Sequence, residues 1–245
     1  IDLLRCWLMD SSNEYRLFQY ALKQLHEAGL DRKDWAIGGG TVLKQHFEHR
    51  FSKDIDIFFD NPQMVSALSP RFNDANKDKM IRYFEDAMCT KLVFPEGKVD
   101  FVVAGQVTDF KPSLREFHGE KVFMEDPVEI VAKKIWHRDS DFKDRDFFDL
   151  ATLYLSDRKE DLIKTTIEMP DKIDEIRKKI EHSDYDVRNI EPLPNGKNII
   201  GRELDIAMDF INEVKSRVQG LSEISDKYPY IHVSPLYRNT ERAKR

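Results

Sequence analysis

The sequence predicts an α+β protein: a mixed sheet with flanking helices, followed by a mainly helical C-terminal domain. Three observations lead there. Short apolar runs of period two alternate with helical periodicities up to about residue 124. From Pro127 onward the pattern is almost wholly helical. A chain of 245 residues with 40% hydrophobic and 11% aromatic content can build one large core or two modest ones. The expected division is residues 1–125, an α/β domain that includes an N-terminal helix, and 126–245, a helical domain with an irregular basic tail.

The N-terminus carries Asp2, Arg5 and Asp10 among apolar residues and reads as an amphipathic helix. It begins at Ile1, so a few residues are expected to precede it. Residues 14–28 form a helix with Tyr15, Phe18, Leu22 and Leu25 at helical spacing, closed by Gly29. Residues 35–59 read as strand, glycine turn, helix and strand. A further helix is expected over 76–89, then strands over 91–94 and 99–103 around the Pro95-Glu-Gly turn. The later helices are 127–137, 144–155, 158–168, 171–182 and 201–218, broken by Pro170 and the Pro192-Leu-Pro-Asn-Gly196 turn. There is no internal repeat and no low-complexity tract. Two such halves are expected to form a cleft, where ligands usually bind.

The chemistry concentrates in Trp35-Ala-Ile-Gly-Gly-Gly-Thr41 and Ser52-Lys-Asp-Ile-Asp-Ile-Phe-Phe59. Gly38, Gly39 and Gly40 leave a turn without Cβ atoms, so backbone N–H groups can approach a triphosphate closely. The following helix, with Thr41 as N-cap, favours negative charge at that turn. Period-two alternation puts Asp54 and Asp56 on one strand face and Ile55, Ile57 and Phe59 on the other. Two adjacent carboxylates repel unless a cation lies between them, and oxygen-only ligation suits Mg²⁺ shared with substrate phosphates. Asp100, the one acid in the buried strand Lys98-Val-Asp-Phe-Val-Val103, is a candidate third carboxylate. Such a set fits in-line attack of a hydroxyl on a nucleoside triphosphate. Read alone, the glycines are a turn and Asp-x-Asp an exposed edge; their conjunction favours a nucleotide and metal site.

These residues resemble a known group. Gly39-Gly40-Thr41 with Asp54-x-Asp56 is similar to the signature of the nucleotidyltransferase superfamily with the DNA polymerase β-like fold. Ile37-Gly-Gly-Gly-Thr-Val-Leu43 and Arg50-Phe-Ser-Lys-Asp-Ile-Asp56 resemble the first motif of the AbiEii/AbiGii toxin family, which includes the MenT toxins. Glu129-Ile-Val-Ala-Lys-Lys-Ile-Trp136 and Lys143-Asp-Arg-Asp-Phe-Phe-Asp-Leu150 resemble its later motif, a Glu-x-x-Ala-x-Lys helix followed by Arg-Asp-x-x-Asp-Leu. The resemblance spans roughly residues 35–155. It implies a Mg²⁺-dependent (or Mn²⁺-dependent) transfer of a nucleoside monophosphate from an NTP to RNA, with the 3′ end of a tRNA as the specific expectation. It implies a role in toxin–antitoxin or phage-defence systems and a cognate antitoxin. By the same correspondence Asp54, Asp56 and Asp100 bind metal, and Gly39, Gly40, Thr41 and Lys134 bind nucleotide. Lys134 is the functional lysine, and Asp149 is the functional acid with Asp146 as the alternative. Two other readings stay open: transfer to a protein or small molecule, and a non-catalytic nucleotide-binding module.

Helical spacing supports the later residues independently. Ile130, Ala132, Ile135 and Trp136 form one apolar stripe and Phe147, Leu150, Ala151 and Tyr154 the next, with Ser140 and Asp141 in the connection. Lys134 then sits beside a packed face, where a cation offsets phosphate charge most strongly in the transition state. Arg145, Asp146 and Asp149 lie within one turn.

A net charge of −6 gives no global attraction to nucleic acid, so an RNA must meet a local basic surface. Candidates are Lys44, His46, His49, Arg50, Lys53 and the basic end 238–245. The two cysteines, Cys6 and Cys89, sit in unrelated segments and read as buried thiols of a reducing compartment. His46 and His49 have no third nitrogen or sulfur ligand at a zinc-site spacing. With no secretory signal and no run of eighteen apolar residues, the expected location is the cytoplasm, without membrane contact.

Overall fold

The computed structural model describes residues 3–138, 141–182, 185–186 and 190–227, with side chains from 12 to 223. Ser140, the basic end 238–245, the Cys6 side chain and the polar residues of the first ten lie outside the described residues. The chain divides into two compact units. One runs to Ile130 and takes back Glu191–Gly196; the other comprises Val131–Ile190 and the chain from Lys197 on.

The first unit is built on a seven-stranded mixed sheet. Its strands are β1 (Ala36–Gly38), β2 (Ile55–Phe59), β3 (Arg82–Glu85), β4 (Cys89–Phe94), β5 (Gly97–Val103), β6 (Ser113–Phe117) and β7 (Glu120–Met124), in the order β3-β4-β5-β2-β1-β7-β6. β2 runs parallel to β5 and β1 parallel to β7; the other neighbours are antiparallel. Along β2 and β5, residues Ile55, Ile57, Phe59, Val99, Phe101 and Val103 are buried, while Asp56, Phe58, Asp100 and Val102 are half-buried. The alternation read from the sequence thus puts the apolar face in the core and the acids on the other face. Helix α1 (Leu3–Glu27) packs on β2 and β5 with Leu17, Phe18, Ala21 and Leu25 buried. It is one continuous helix, longer than the 14–28 stretch that its periodicity marks.

Helix α2 (Gly39–Phe47) follows β1 directly. The short helix α3 (Pro62–Ser66) is capped by Asn61, whose side chain accepts the Gln63 N–H at 3.0 Å. The expected helix over 76–89 is absent. Asn73 Oδ1 accepts the Ala75 N–H (3.1 Å) in a turn just before that stretch, and the Asn76 side chain donates to Tyr20 O (2.9 Å), which ties the segment to α1. Arg82-Tyr-Phe-Glu85 then pairs with β4, its aromatic residues favouring a strand. Segment Glu191–Gly196 rejoins this unit through Phe51 N–H to Glu191 O and Leu193 N–H to His49 O, both 2.9 Å.

The second unit is helical. Its elements are most of α4 (Pro127–Arg138), then α5 (Asp144–Tyr154), α6 (Lys159–Thr166), α7 (Pro170–Glu181) and α8 (Glu203–Lys227). α5, α6 and α7 all pack on α8. The core contains Phe147, Phe148, Leu162, Ile163, Ile173, Ile176, Phe210 and Ile211. One stripe position is corrected: Trp136 is 45% exposed, with Lys172 Nζ 5.6 Å from its ring centroid, while Ile130, Ala132 and Ile135 are buried. The indole is thus partly solvated beside a cation.

Candidate active site

The glycine turn and the Asp-x-Asp strand meet because β1 and β2 pair antiparallel, with Gly38 opposite Asp56. α2 starts at Gly39, so Gly38 is the N-cap and Thr41 lies one turn inside. This corrects the expected cap. Thr41 is fully buried, and its hydroxyl donates to Asp54 O at 2.6 Å and lies 3.2 Å from Ser52 Oγ. Its side chain therefore ties the helix to the main chain that carries Asp54.

Gly39 has φ of +70°, and a Cβ there would lie 1.9 Å from Asp56 Oδ2. The Asp56 carboxylate rests on the bare glycine. Gly40 is closed on its side by Arg50 and Ser52: a Cβ would come within 2.8 Å of both Arg50 Nη2 and Ser52 Oγ. The glycine run is thus required by packing as well as by turn geometry.

Asp100 is in register with Asp56 on the neighbouring parallel strand, so both acids leave the same sheet face about one strand spacing, ~4.8 Å, apart. Burial raises the Asp100 pKa and the Asp54 charge adds to that, against the opposing pull of Lys91. Lys91 Nζ is 3.1 Å from Asp100 Oδ2, while Asp100 Oδ1 is buried without a hydrogen-bond partner. Asp54 sits just before β2 and accepts the Lys98 N–H at 3.1 Å.

An all-oxygen set with a raised carboxylate pKa and an unsatisfied buried oxygen fits a hard divalent cation. Among the described residues, no three His, Cys, Asp or Glu side chains group closely enough to hold a metal by themselves. Mg²⁺ is ordinarily held by one or two carboxylates together with substrate phosphates, and this arrangement suits that mode.

The second group of expected residues lies in the helical unit. Lys134 on α4 is buried, and its Nζ donates to Asp146 Oδ1 at 2.9 Å and also to Asp149. Both acids are on α5 and buried. Arg138 Nη1 reaches the two Asp146 oxygens at 2.6 and 2.7 Å, and the Lys143 N–H donates to Asp146 Oδ2 at 3.0 Å. Burial opposes ionisation of Asp146, yet Lys134 and Arg138 together outweigh it and hold the carboxyl below its ordinary value. Asp146 is thus shared by two cations, and Asp149 is the carboxylate joined to Lys134.

Several residues escaped the sequence reading. Glu125 follows β7 and is buried; a Cβ on Gly38 would lie 2.2 Å from its Oε2, so two carboxylates flank the glycine turn from opposite strands. The available signal was the acid ending the apolar run Val122-Phe-Met124. Lys91 was recoverable by counting outward from the Pro95-Glu96 hairpin turn, which places it opposite Asp100. Glu129 is 1% exposed and accepts the Val107 and Thr108 N–H groups at 3.0 and 2.9 Å, anchoring the loop after β5.

The expected basic surface is also corrected. Lys44 pairs with Glu14 and donates to Ser52 O at 2.7 Å, and His49 and Arg50 are 1% and 5% exposed. Of that group, His46 and Lys53 are exposed. Cys89 is half-buried, its thiol pushed up to about 11 by burial and by nearby Asp100. No helix among the described residues is long and apolar enough to cross a membrane.

Comparison with known proteins adds a family. A family model described as "Nucleotidyl transferase AbiEii toxin, Type IV TA system" matches residues 21–210. A search of curated proteins gives no significant match. Among solved structures, a putative nucleotidyltransferase from Helicobacter pylori is 13% identical, covers 86% of this chain and 97% of its own, and has a TM-score of 0.44. The MenT4 nucleotidyltransferase toxin of Mycobacterium tuberculosis is 16% identical, over 85% of this chain and 82% of its own, with a TM-score of 0.48. The antibiotic-resistance factor ANT(2'')-Ia is 13% identical, over 71% of this chain and 100% of its own, with a TM-score of 0.50. At that identity the likeness is one of fold.

Proposed function

The chain belongs to the AbiEii nucleotidyl transferase toxin family, and on that premise we propose that it moves a nucleoside monophosphate from an NTP to an RNA hydroxyl in a Mg²⁺-dependent or Mn²⁺-dependent reaction. The acceptor we propose is the 3′ end of a tRNA. The observation that carries the site is the seating of Asp56 on Gly39, with Asp100 in register beside it. It supports the reading because the carboxylates and the glycine turn share one small region of the sheet.

In this reading, Gly39 and Gly40 receive the triphosphate on backbone N–H groups at the start of α2. Thr41 contributes through its bond to Asp54 O, which fixes the strand that presents the acids. Asp54, Asp56 and Asp100 would hold the divalent ion, which when bound supplies charge neutralisation for the triphosphate. The hydroxyl oxygen forms the new bond to the α-phosphorus, the bond to the β-phosphate oxygen breaks, and pyrophosphate leaves. Asp100, in register beside Asp56, either completes the ligand set or takes the hydroxyl proton. Lys134 offsets charge that develops on the phosphates, and Asp149, or Asp146 in its place, orients it. The toxin role is supported by the family; the cognate antitoxin and the RNA acceptor are part of the proposal.

Purified protein with Mg²⁺ and each α-labelled NTP is to be incubated with total RNA. Label on an RNA that chelation of Mg²⁺ abolishes supports the proposal. Label on protein or a small molecule with none on RNA rejects the acceptor, and no transfer under any condition rejects the residue roles.

A further inference from the structure

Among the described residues, the two edges of the sheet are β3 and β6. β6 shows solvent Ser113, Leu114, Arg115 and Glu116, an edge in which polar residues predominate. β3 is different: Ile81 is 64% exposed, Tyr83 38%, Phe84 54%, and Met88 in the hairpin turn that follows 48%. Apolar side chains on an unpaired strand edge are a template for another strand, which monomeric proteins usually blunt with charge.

The hydrogen-bond pattern shows which main-chain groups are open. Asp86 N–H donates to Cys89 O at 2.9 Å, so in the β3–β4 register the pairs Asp86/Cys89, Phe84/Lys91 and Arg82/Val93 face inward. Ile81 N–H also reaches Val93 O, a bulge at the start of the strand. The N–H and C=O groups of Tyr83 and Glu85 therefore point away from β4, toward the free edge.

We propose that two copies of this chain pair through β3 in antiparallel, two-fold fashion, forming one continuous sheet. Phe84 lies on the dyad, Tyr83 is opposite Glu85 of the partner subunit, and Arg82 is opposite Asp86 of the partner subunit. This register matches open groups with open groups: each Tyr83/Glu85 pair exchanges two main-chain bonds, and the two Phe84 rings meet at the close, non-hydrogen-bonded position. It also satisfies charge. Arg82 makes no ion pair among the described residues, its guanidinium lying 5.4 Å from the centroid of its own Phe84 ring, and exposed Asp86 accepts the Met88 N–H at 2.7 Å. Sliding by one pair step in one direction sets Glu85 against Glu85; the other direction sets Arg82 against Phe84 and forms no ion pair. Among in-phase registers, a second copy of β3 is complementary in the first alone.

Sedimentation equilibrium of the full chain, from about 1 to 200 μM, tests this. A short strand interface of this kind gives a dissociation constant on the order of 10 μM. Arg82→Glu and Asp86→Arg each weaken the dimer about tenfold, because two cross-strand pairs turn repulsive, while Arg82→Glu with Asp86→Arg restores it to within about threefold. Phe84→Asp abolishes it. Circular dichroism confirms that each variant is folded, as expected for exposed positions. A monomer throughout the concentration range overturns the proposal. So does a dimer indifferent to the single reversals, or one that the double reversal fails to restore.

Discussion

Replacing Gly39 by Ala tests the central geometry of the site most directly. Two costs separate there. An L-residue at φ +70° costs roughly 1–2 kcal/mol. For a chain of this size that corresponds to a melting-temperature loss of about 2–8 °C. The second cost is specific: the new methyl would stand 1.9 Å from Asp56 Oδ2 and 2.6 Å from its Cγ, so the carboxylate must swing away. A displacement of ~1 Å at a reacting centre costs about a hundredfold in rate. Gly29 is the matched control, with φ +69° and nothing within 4 Å of its would-be Cβ. Both variants are to be measured by differential scanning calorimetry and by nucleotidyl transfer at saturating NTP. A melting loss at least as large as that of Gly29→Ala is expected for Gly39→Ala, with transfer falling about a hundredfold in Gly39→Ala alone. Equal activities in the two would refute the reasoning, because the contact between Asp56 and the glycine would then be irrelevant to chemistry.

Other perturbations follow from the same side chains. Lys134→Ala leaves buried Asp146 and Asp149 without their shared cation and is expected to cost about 3–5 kcal/mol in urea denaturation. Asp146 has its folded pKa below the ordinary 3.8, so its ionised form adds stability that is complete above that value and is lost as pH falls through the folded pKa. Asp146→Asn should therefore flatten the acid limb of the stability profile below about pH 4. Asp100 has the opposite sign: its folded pKa is raised, so ionisation opposes folding once pH rises past the folded value. Asp100→Asn is expected to stabilise the nucleotide-free protein at pH 7 while abolishing transfer; destabilisation would count against a burial penalty on the ionised carboxylate. Gly38→Ala collides with Glu125 Oε2 at 2.2 Å and Phe58 Cε2 at 2.8 Å. Adding Glu125→Ala should recover part of the lost stability, with a coupling of about 1 kcal/mol in a double-mutant cycle.

Local chemistry alone made much of this protein legible. Period-two alternation in Ile55-Asp-Ile-Phe-Phe59 fixed which side of the strand carries the acid, because strand side chains alternate whatever the fold. Helical periodicity likewise located α4 to α8 to within a few residues, except that α8 runs on to Lys227. Where side chains compete with the backbone, local reading failed. Asn73 held a turn and Asn76 bound Tyr20 O on α1 where a helix was expected, and Thr41 spent its hydroxyl on Asp54 O and left the cap to Gly38. Residues meeting across long sequence separations needed more than local pattern: the motifs grouped Asp56 with Asp100 and Lys134 with Asp149 or Asp146, but gave no contact between them and no sign of Glu125 over Gly38. Asp56 beside Asp100, Glu125 over Gly38 and Lys134 between Asp146 and Asp149 depend on strand order, register and helix packing, which are set by the shared burial of distant apolar faces. The sequence thus determined which acids and glycines stand at the ends of which elements. Tertiary structure decided which of them touch, because contact requires the chain to close on itself.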